Sequence, residues 1–238
     1  MKVTARLIER LSTYRRNLQR QIPGAKTRIY SHELAALVGE TPALVRRDLM
    51  TIGFTGSPAH GYDEPGRIAK IAELLDPPGG AGIALVGVGA LGRAILRYFH
   101  RVHPEFRFVA AFDTSPDKVG QVFDGCPCHA LDDMEATLRQ KLIAFGVIAV
   151  PADAAQVVAT RLVRNGVRAL LNFTPERLQM PPGAYVEDVD LAASLEKVVF
   201  FGRLGATHAA CPGADMAGPE SCAANQDAYA SDLPSANS

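Results

Sequence analysis

Three glycines at a fixed spacing are the residues of this sequence whose chemistry is easiest to interpret. Residues 83–92 read Ile-Ala-Leu-Val-Gly-Val-Gly-Ala-Leu-Gly, an apolar run that leads into the pattern G-x-G-x-x-G. In such a pattern Gly87 permits a tight turn, Gly89 lets the backbone approach a pyrophosphate, and Gly92 lets a helix pack closely on a strand. Glycines that merely turn a strand into a helix are the structural alternative. The candidate cofactor-binding residues of this loop are Gly87, Val88, Gly89, Ala90, Leu91 and Gly92.

A carboxylate follows the glycines at the spacing that dinucleotide sites use. The apolar run 108–112 ends at Asp113, 21 residues beyond Gly92. In NAD sites an acidic residue about 20 residues beyond the glycines binds the ribose hydroxyl groups. The glycines and Asp113 together therefore predict a site for NADH or NAD+.

The elements that must position this site alternate between strands and helices. The pattern predicts strands at 83–87, 107–112, 145–150, 167–172 and 184–188. This alternation is typical of an α/β, Rossmann-like domain with a parallel sheet and helices on both faces. Ligands bind at the carboxyl ends of such strands, so Pro151 and Phe173 should face the nucleotide.

The amino-terminal quarter has a different character and a basic charge. Residues 1–60 hold ten Lys/Arg and four Asp/Glu, a net +6 on a chain whose net charge is zero. Helical spacing predicts a first helix through Leu18, a second from an N-cap at Ser31, and a third opened by Thr41. The third helix carries Arg46 and Arg47 away from its apolar face, as in a DNA-reading helix-turn-helix unit.

Residues 53–62 contain three glycines and a proline, which predicts a hairpin. A hairpin after a recognition helix is a wing, so we expect a winged-helix domain with Ser57 and His60 as candidate DNA contacts. The alternative is a three-helix dimerisation module with ordinary surface arginines.

The remaining segments define the expected domain boundaries. A connecting helix over 67–75 is followed by a Pro/Gly-rich linker over 76–82. A last amphipathic helix over 191–204 either docks on a partner subunit or packs on its own domain. We predict a DNA-binding domain (1–80), a nucleotide-binding domain (81–188), a dimerisation helix (189–208) and a disordered tail (209–238).

Enzymatic machinery is missing from the pattern. His100 and His103 fall on the helix after the glycines, His129 in a loop and His208 beyond the last helix, all away from the strand exits. The pair Cys126 and Cys128 lacks a second pair at zinc spacing, so we expect small loop residues and no metal site. A reactive thiol pair in this loop is the alternative.

We therefore expect a sensor and no catalytic residues. The alternative is an NAD(P)-dependent oxidoreductase with a basic association module. No apolar run reaches the length of about 18 residues that a membrane span needs, so the protein is expected to be cytoplasmic.

These residues, in this order and spacing, resemble the Rex family of bacterial redox-sensing transcriptional repressors. The likeness covers roughly residues 5–205. It rests on Val45-Arg-Arg-Asp-Leu49, the glycines Gly53, Gly56 and Gly61 before Tyr62, the loop Leu85 to Gly92, Phe112-Asp113, Ala149-Val-Pro151, Leu171-Asn-Phe-Thr-Pro175 and Val189-Asp-Leu191. The resemblance implies a homodimer with a domain-swapped C-terminal helix. It also implies a repressor that binds a palindromic operator and dissociates when NADH accumulates.

Site residues also follow from this resemblance. It assigns Arg46 and Arg47 to contacts with bases and phosphates, Asp113 to the adenosine ribose, and Pro151 and Phe173 to the nicotinamide end.

The resemblance further implies a polar switch between the domains, formed by Arg16, Tyr98 and Asp190. One departure lies in the wing, where Pro58-Ala59 stands in place of the family's basic residue followed by glycine. Contacts between this wing and DNA are therefore expected to differ from those of the family.

Overall fold

The chain folds into two units whose boundary lies between Asp76 and Pro77. This computed structural model describes residues 3–20, 28–54, 62–76 and 82–209. No helix among these residues has the length and apolar character needed to cross a bilayer. The predicted wing tip with Ser57 and His60, most of the linker and the tail after Ala209 lie outside the described residues.

The first unit is built from four helices and a short pair of strands. The helices are α1 (Ala5–Arg20), α2 (Ser31–Val38), α3 (Pro42–Thr51) and α4 (Glu64–Leu75). Strand β1 (Arg28–Ile29) pairs antiparallel with β2 (Tyr62–Asp63). The core buries Leu7, Leu11, Tyr14 and Leu18 of α1, together with residues of the other three helices.

The two predicted N-caps have different outcomes. Thr41 is the N-cap of α3, where its Oγ1 accepts a hydrogen bond of 3.3 Å from the Leu44 N–H. Gly39 ends α2 in the left-handed region, with φ of 69°. The prediction of Ser31 as an N-cap is wrong, because Tyr30 holds that position and its N–H donates to Glu33 Oε2 at 2.7 Å.

The second unit is a seven-stranded sheet with helices on both faces. Its strands are β3 (Ile83–Val86), β4 (Phe108–Asp113), β5 (Val122–Phe123), β6 (Cys126–Ala130), β7 (Phe145–Ile148), β8 (Ala169–Asn172) and β9 (Tyr185–Asp188). Its helices are α5 (Ala90–Val102), a 3-10 turn (Leu131–Asp133), α6 (Met134–Gln140), α7 (Ala152–Arg164) and α8 (Leu191–Ala209).

The strand order is β5-β6-β4-β3-β7-β8-β9, and only β5 is antiparallel to its neighbour. Without β5, the six parallel strands follow the order 3-2-1-4-5-6 of dinucleotide-binding folds. The five predicted strands are all present. The chain order reverses between β3 and β7, which makes the carboxyl ends of these strands the expected ligand position.

Strand β6 corrects the sequence interpretation of residues 126–130. These residues were expected in a loop, yet Cys126 and Cys128 are buried in the strand and His129 follows them there. Pro127 obscured this strand in the sequence, because proline usually argues against one. Its neighbour β5 pairs antiparallel with only two residues of β6, so β6 lies close to the sheet edge, where proline is tolerated.

Candidate functional site

The glycine loop leaves the carboxyl end of β3 as a tight turn. Gly87 has φ of 96°, and a Cβ there would overlap the backbone carbonyl oxygen of Ala149. A Cβ on Gly92 would overlap the carbonyl oxygen of Gly87, whereas a Cβ on Gly89 would meet nothing within 4 Å. Gly87 and Gly92 therefore allow close backbone packing, and Gly89 faces open space in which a phosphate can approach the chain.

Two helices begin beside this turn at the point where the strand order reverses. Helix α5 starts directly after Gly89, and α7 starts after Pro151, which follows β7. The loop is tied to both neighbouring strands, because the Gly87 N–H donates to Phe112 O and the Ala149 N–H donates to Val86 O, each at 2.9 Å. The unpaired N–H groups of a helix start favour an anion at this edge.

Asp113 closes the site from the end of β4. Its Oδ2 accepts hydrogen bonds from the Val88 N–H at 2.8 Å and from Lys118 Nζ at 2.9 Å, and its Oδ1 accepts one from the Ser115 N–H at 2.9 Å. Burial favours the neutral carboxyl, but these hydrogen bonds outweigh it and hold the pKa of Asp113 below its ordinary value. The side chain is therefore an anion at neutral pH, suited to accept hydrogen bonds from ribose hydroxyls. Sequence analysis missed Lys118.

The other end of the site lies after β7 and β8. The Phe173 N–H donates to Ile148 O at 3.0 Å, which ties the loop after β8 to β7. The loop is fixed from within by Asn172, which is fully buried. Asn172 Nδ2 donates to Glu176 O and to Asp188 Oδ1, each at 2.8 Å. Sequence analysis quoted this asparagine without giving it a role.

Groups suited to acid–base or nucleophilic catalysis are not gathered at this edge within the described residues. Burial raises the pKa of Cys126 to about 12 and also raises the pKa of Cys128, so both thiols stay protonated and unreactive. Burial lowers the pKa of His129, whose Nε2 is buried without a hydrogen-bond partner. The described part of the chain holds no cluster of three His, Cys, Asp or Glu residues able to bind a metal.

The first unit presents two arginines on α3. Arg46 and Arg47 are exposed, while Val45 and Leu49 are buried in the helical core. Asp48, which directly follows Arg47, is also buried. This arrangement leaves both guanidinium groups available to a polyanion.

Asp48 joins α3 to α1. Its carboxylate accepts hydrogen bonds from Arg10 Nε at 2.6 Å, Arg10 Nη2 at 2.8 Å and the Tyr14 hydroxyl at 2.9 Å. The hydrogen bonds to Asp48 raise the pKa of Arg10, and burial together with Asp48 raises that of Tyr14, so both donors keep their protons. The pair had no sequence signal beyond its charges, because Arg10 and Asp48 are 38 residues apart.

Of the three predicted switch residues, Arg16 lies in the first unit, and Tyr98 and Asp190 lie in the second. Arg16 is exposed on α1 and donates from Nη2 to Thr13 Oγ1 at 3.3 Å. Tyr98 is half exposed on α5. Asp190 precedes α8, and its Oδ1 accepts a hydrogen bond of 2.8 Å from the Ala193 N–H. A joint role for these residues stays a prediction.

Two family models match this chain. Residues 2–49 match a model described as "Putative DNA-binding protein N-terminus", and residues 81–176 match a model described as a CoA binding domain. The first match covers most of α1 to α3, and the second covers the glycine loop, Asp113 and the strands as far as β8.

Whole-length relatives are also found. The redox-sensing transcriptional repressor Rex of Rhodopirellula baltica is 39% identical over 197 residues, which cover 81% of each chain. The Rex protein of Listeria welshimeri is 34% identical over 84% of this chain and 93% of its own.

A solved structure, that of RSP in complex with β-NAD+ and operator DNA, matches with a TM-score of 0.80 and 28% identity over 88% of this chain and 96% of its own. RSP in complex with β-NADH matches with a TM-score of 0.76 and 28% identity over 88% of this chain and 98% of its own. By these similarities over most of its length, the chain belongs to the Rex family of redox-sensing transcriptional repressors.

Proposed function

We propose that this protein is an NADH-responsive repressor that binds a palindromic operator as a homodimer and dissociates when the NADH/NAD+ ratio rises. The observation that carries the proposal is the hydrogen bond between the Asp113 carboxylate and the Val88 N–H. It joins the ribose-binding acid to the glycine loop at the reversal point of the sheet, in a chain that also carries exposed arginines on α3. Such a repressor meets its operator in the cytoplasm.

The nucleotide would lie across the carboxyl ends of β4, β3 and β7. The pyrophosphate would approach over Gly89, the adenosine ribose would bind Asp113, and the nicotinamide would lie near Pro151 and Phe173. A 2′-phosphate would add two negative charges beside the Asp113 carboxylate, which one lysine, Lys118, already neutralises. We therefore infer selectivity for NADH over NADPH. The complexes of RSP with β-NAD+ and β-NADH support both nucleotides as ligands.

DNA would be read by α3 in the major groove. Arg46 and Arg47 would contact base edges and phosphates, because an arginine fork matches the two acceptors of guanine. We further propose a wing over residues 53–62, in which Ser57 and His60 contact the duplex. The antiparallel pair β1–β2 supports this, since β2 begins at Tyr62, the last residue of the proposed wing. The proposed winged-helix domain spans residues 1–80, and the nucleotide-binding domain spans 81–188.

The proposed dimer is carried by α8, within a dimerisation segment of residues 189–208. Helix α8 is 19 residues long. Its large apolar side chains are about half exposed or more, at Leu191, Leu195, Val198, Val199, Phe200 and Phe201. Such a continuous exposed apolar surface is typical of an interface.

The sheet carries a depression that could receive a second copy of α8. On the face that α5 partly covers, an open apolar depression of about 310 Å³ is lined by side chains that include Phe145, Leu171 and Tyr185. We propose that α8 of a second copy covers this depression, as a domain swap.

The dimer is tested by light scattering on Val198→Asp, with Lys197→Asp as the matched control on the same helix. The proposal expects a monomer from the first variant only. A native protein that is itself monomeric at micromolar concentration would instead favour packing of α8 on its own domain.

The switch would arise at the nicotinamide, since NAD+ and NADH share every phosphate and ribose group. We propose that the charge and shape of the ring decide how closely the paired nucleotide domains approach, and that Arg16, Tyr98 and Asp190 relay the change to α3. The test is release of a selected palindromic duplex by NADH at concentrations where NADPH has no effect. The relatives are described as repressors and give no support to the oxidoreductase alternative. Steady NADH oxidation with carbonyl substrates would favour that alternative.

A further inference from the structure

A second cavity lies at the edge of the sheet opposite to the nucleotide site. It has a volume of about 450 Å³ and is lined by Phe108 and Val109, at the amino end of β4, and by Gly125 and Pro127, beside the amino end of β6. Asp113 stands at the other end of β4, so the cavity shares no residue with the site described above. Its volume falls within the range of roughly 300–1,000 Å³ that small-molecule pockets have.

The ionisable side chains around this cavity are mainly basic. They are His100 from the last turn of α5, Arg107 before β4, Lys141 after α6, and Asp124. The acid Asp124 has a cation of its own outside the lining, Arg97, at 3.8 Å. The Arg107 guanidinium has no carboxylate partner within the part of the chain that the structure describes. The cavity therefore has an excess of positive charge available to a ligand.

Lys141 is held at the rim by the backbone. Its Nζ donates a hydrogen bond of 2.8 Å to the carbonyl oxygen of Val109. Val109 is the extra residue of a β-bulge, because the β3–β4 register pairs Ile83 with Phe108 but Ala84 with Ala110. An ammonium group has three N–H donors, so two remain for a ligand. Bulges occur often beside binding sites, where they redirect a side chain or a carbonyl.

The backbone around the cavity includes residues with positive φ. Among the described residues, Asp124 (φ of 46°) and Leu142 (φ of 50°) are the two non-glycine residues with positive φ. Asp124 lines the cavity, and Leu142 follows Lys141 in sequence. Gly125, which follows Asp124, lies close to His100, whose Cε1 would be 3.6 Å from a Cβ at that position. A positive φ is energetically unfavourable for a non-glycine residue, and such residues cluster at ligand-binding and active sites.

The rest of the lining is apolar. Leu96, Pro104, Phe106 and Phe108 contribute aliphatic and aromatic surface to it. A ligand matched to this lining has one anionic group and a compact apolar body. We propose that this cavity is a binding site for a small organic anion, in which Arg107 and Lys141 bind a phosphate or carboxylate and the apolar wall receives a ring or short chain.

The experiment uses the full chain, isotope-labelled, and phenyl phosphate as the probe. Backbone amide shifts of Val109 and Gly125 are followed by NMR during titration, with phenol as the uncharged probe and inorganic phosphate as the probe without an apolar body. We expect saturable shifts at Val109 and Gly125 with phenyl phosphate, and at least several-fold weaker binding of the other two probes. Shifts confined to the glycine loop, at Val88 and Gly89, would overturn the proposal.

Two variants and one control complete the test. Arg107→Gln and Lys141→Gln each remove one cationic donor and should weaken phenyl phosphate binding about tenfold, the effect of losing one charge-assisted hydrogen bond. Arg101→Gln removes an exposed cation from α5 outside the cavity and should bind as the native chain does. Arg107 is exposed, so Arg107→Gln should keep the native spectrum. Unchanged affinity in both variants, or an equal loss in Arg101→Gln, would contradict the assignment.

Discussion

Replacing Asp48 by asparagine tests how the first unit holds α3, the helix that we propose reads DNA. The Asp48 side chain is 4% exposed, and its two oxygens accept hydrogen bonds from Arg10 Nε, Arg10 Nη2 and the Tyr14 hydroxyl. Asparagine has nearly the same shape but no charge, and one of its two terminal groups is a donor. Asp48→Asn therefore turns at least one of these hydrogen bonds into a contact between two donors, and it leaves the Arg10 cation without its counterion.

The expected loss in the free energy of unfolding follows from the burial of Asp48 and Arg10. Breaking a buried ion pair by removing one partner costs about 3–5 kcal/mol, and hydrogen bonds to charged groups contribute about 1.5–3 kcal/mol each. The Arg10 side chain is 23% exposed, so water recovers part of its hydration and the loss is smaller. We expect Asp48→Asn to lower the free energy of unfolding of this unit by about 2–3 kcal/mol. For a unit of this size, that is a fall in Tm on the order of 10–20 °C.

The assay is urea and thermal unfolding of the full chain, followed by far-ultraviolet circular dichroism. Arg6→Gln is the matched control, since Arg6 is exposed on the same helix as Arg10. It should change the free energy of unfolding by less than about 0.5 kcal/mol. The Arg10→Gln variant and the double variant complete a cycle in which the two losses should be strongly non-additive. Equal stability of native chain and Asp48→Asn would refute the bracing role of Asp48.

Four further predictions concern the two sites. Arg46→Ala should weaken operator binding by about 1–3 kcal/mol and relax preference at one base position per half-site, as measured by anisotropy on substituted duplexes. Gly89→Ala should keep the native unfolding curve but lose NADH in calorimetry, whereas Gly92→Ala should unfold more easily, because only the second Cβ meets backbone. Because hydrogen bonds hold the pKa of Asp113 below its ordinary value, Asp113→Asn should cost stability at pH 7. This difference should shrink as the pH falls below about 4 and through the pKa of the folded state, and urea unfolding across that range checks it. Asp190→Ala should bind NADH normally yet release operator poorly, and an unchanged release factor would remove Asp190 from the switch.

Local patterns in the sequence were sufficient to predict most strands of the second unit and its glycine loop. The five predicted strands are apolar runs bounded by turn residues, and the glycine motif is a property of six consecutive positions. Strand β6 was missed because Pro127 breaks the usual strand composition. The last helix runs on to Ala209, five residues beyond the predicted end, so His208 lies within it.

The missing site residues are those whose partners are distant in sequence. The Arg10–Asp48 pair joins positions 38 residues apart, and Asn172 reaches Asp188 across 16 residues. No periodicity or spacing rule connects such pairs, because the contact exists only after the helices or strands have packed. Lys118 is closer, five residues after Asp113, yet its direction depends on the turn between them.

The most direct test of the account is operator affinity measured with and without each nucleotide. A palindromic duplex selected by the native protein is labelled and titrated with protein alone, with saturating NAD+ and with saturating NADH. The account predicts tight binding alone and with NAD+, and loss of binding with NADH. A shift from 99% to 1% bound requires a differential affinity of about 5.5 kcal/mol between the two states. Equal operator affinity in saturating NADH and NAD+ would contradict the proposal that this chain senses the redox state of the nucleotide.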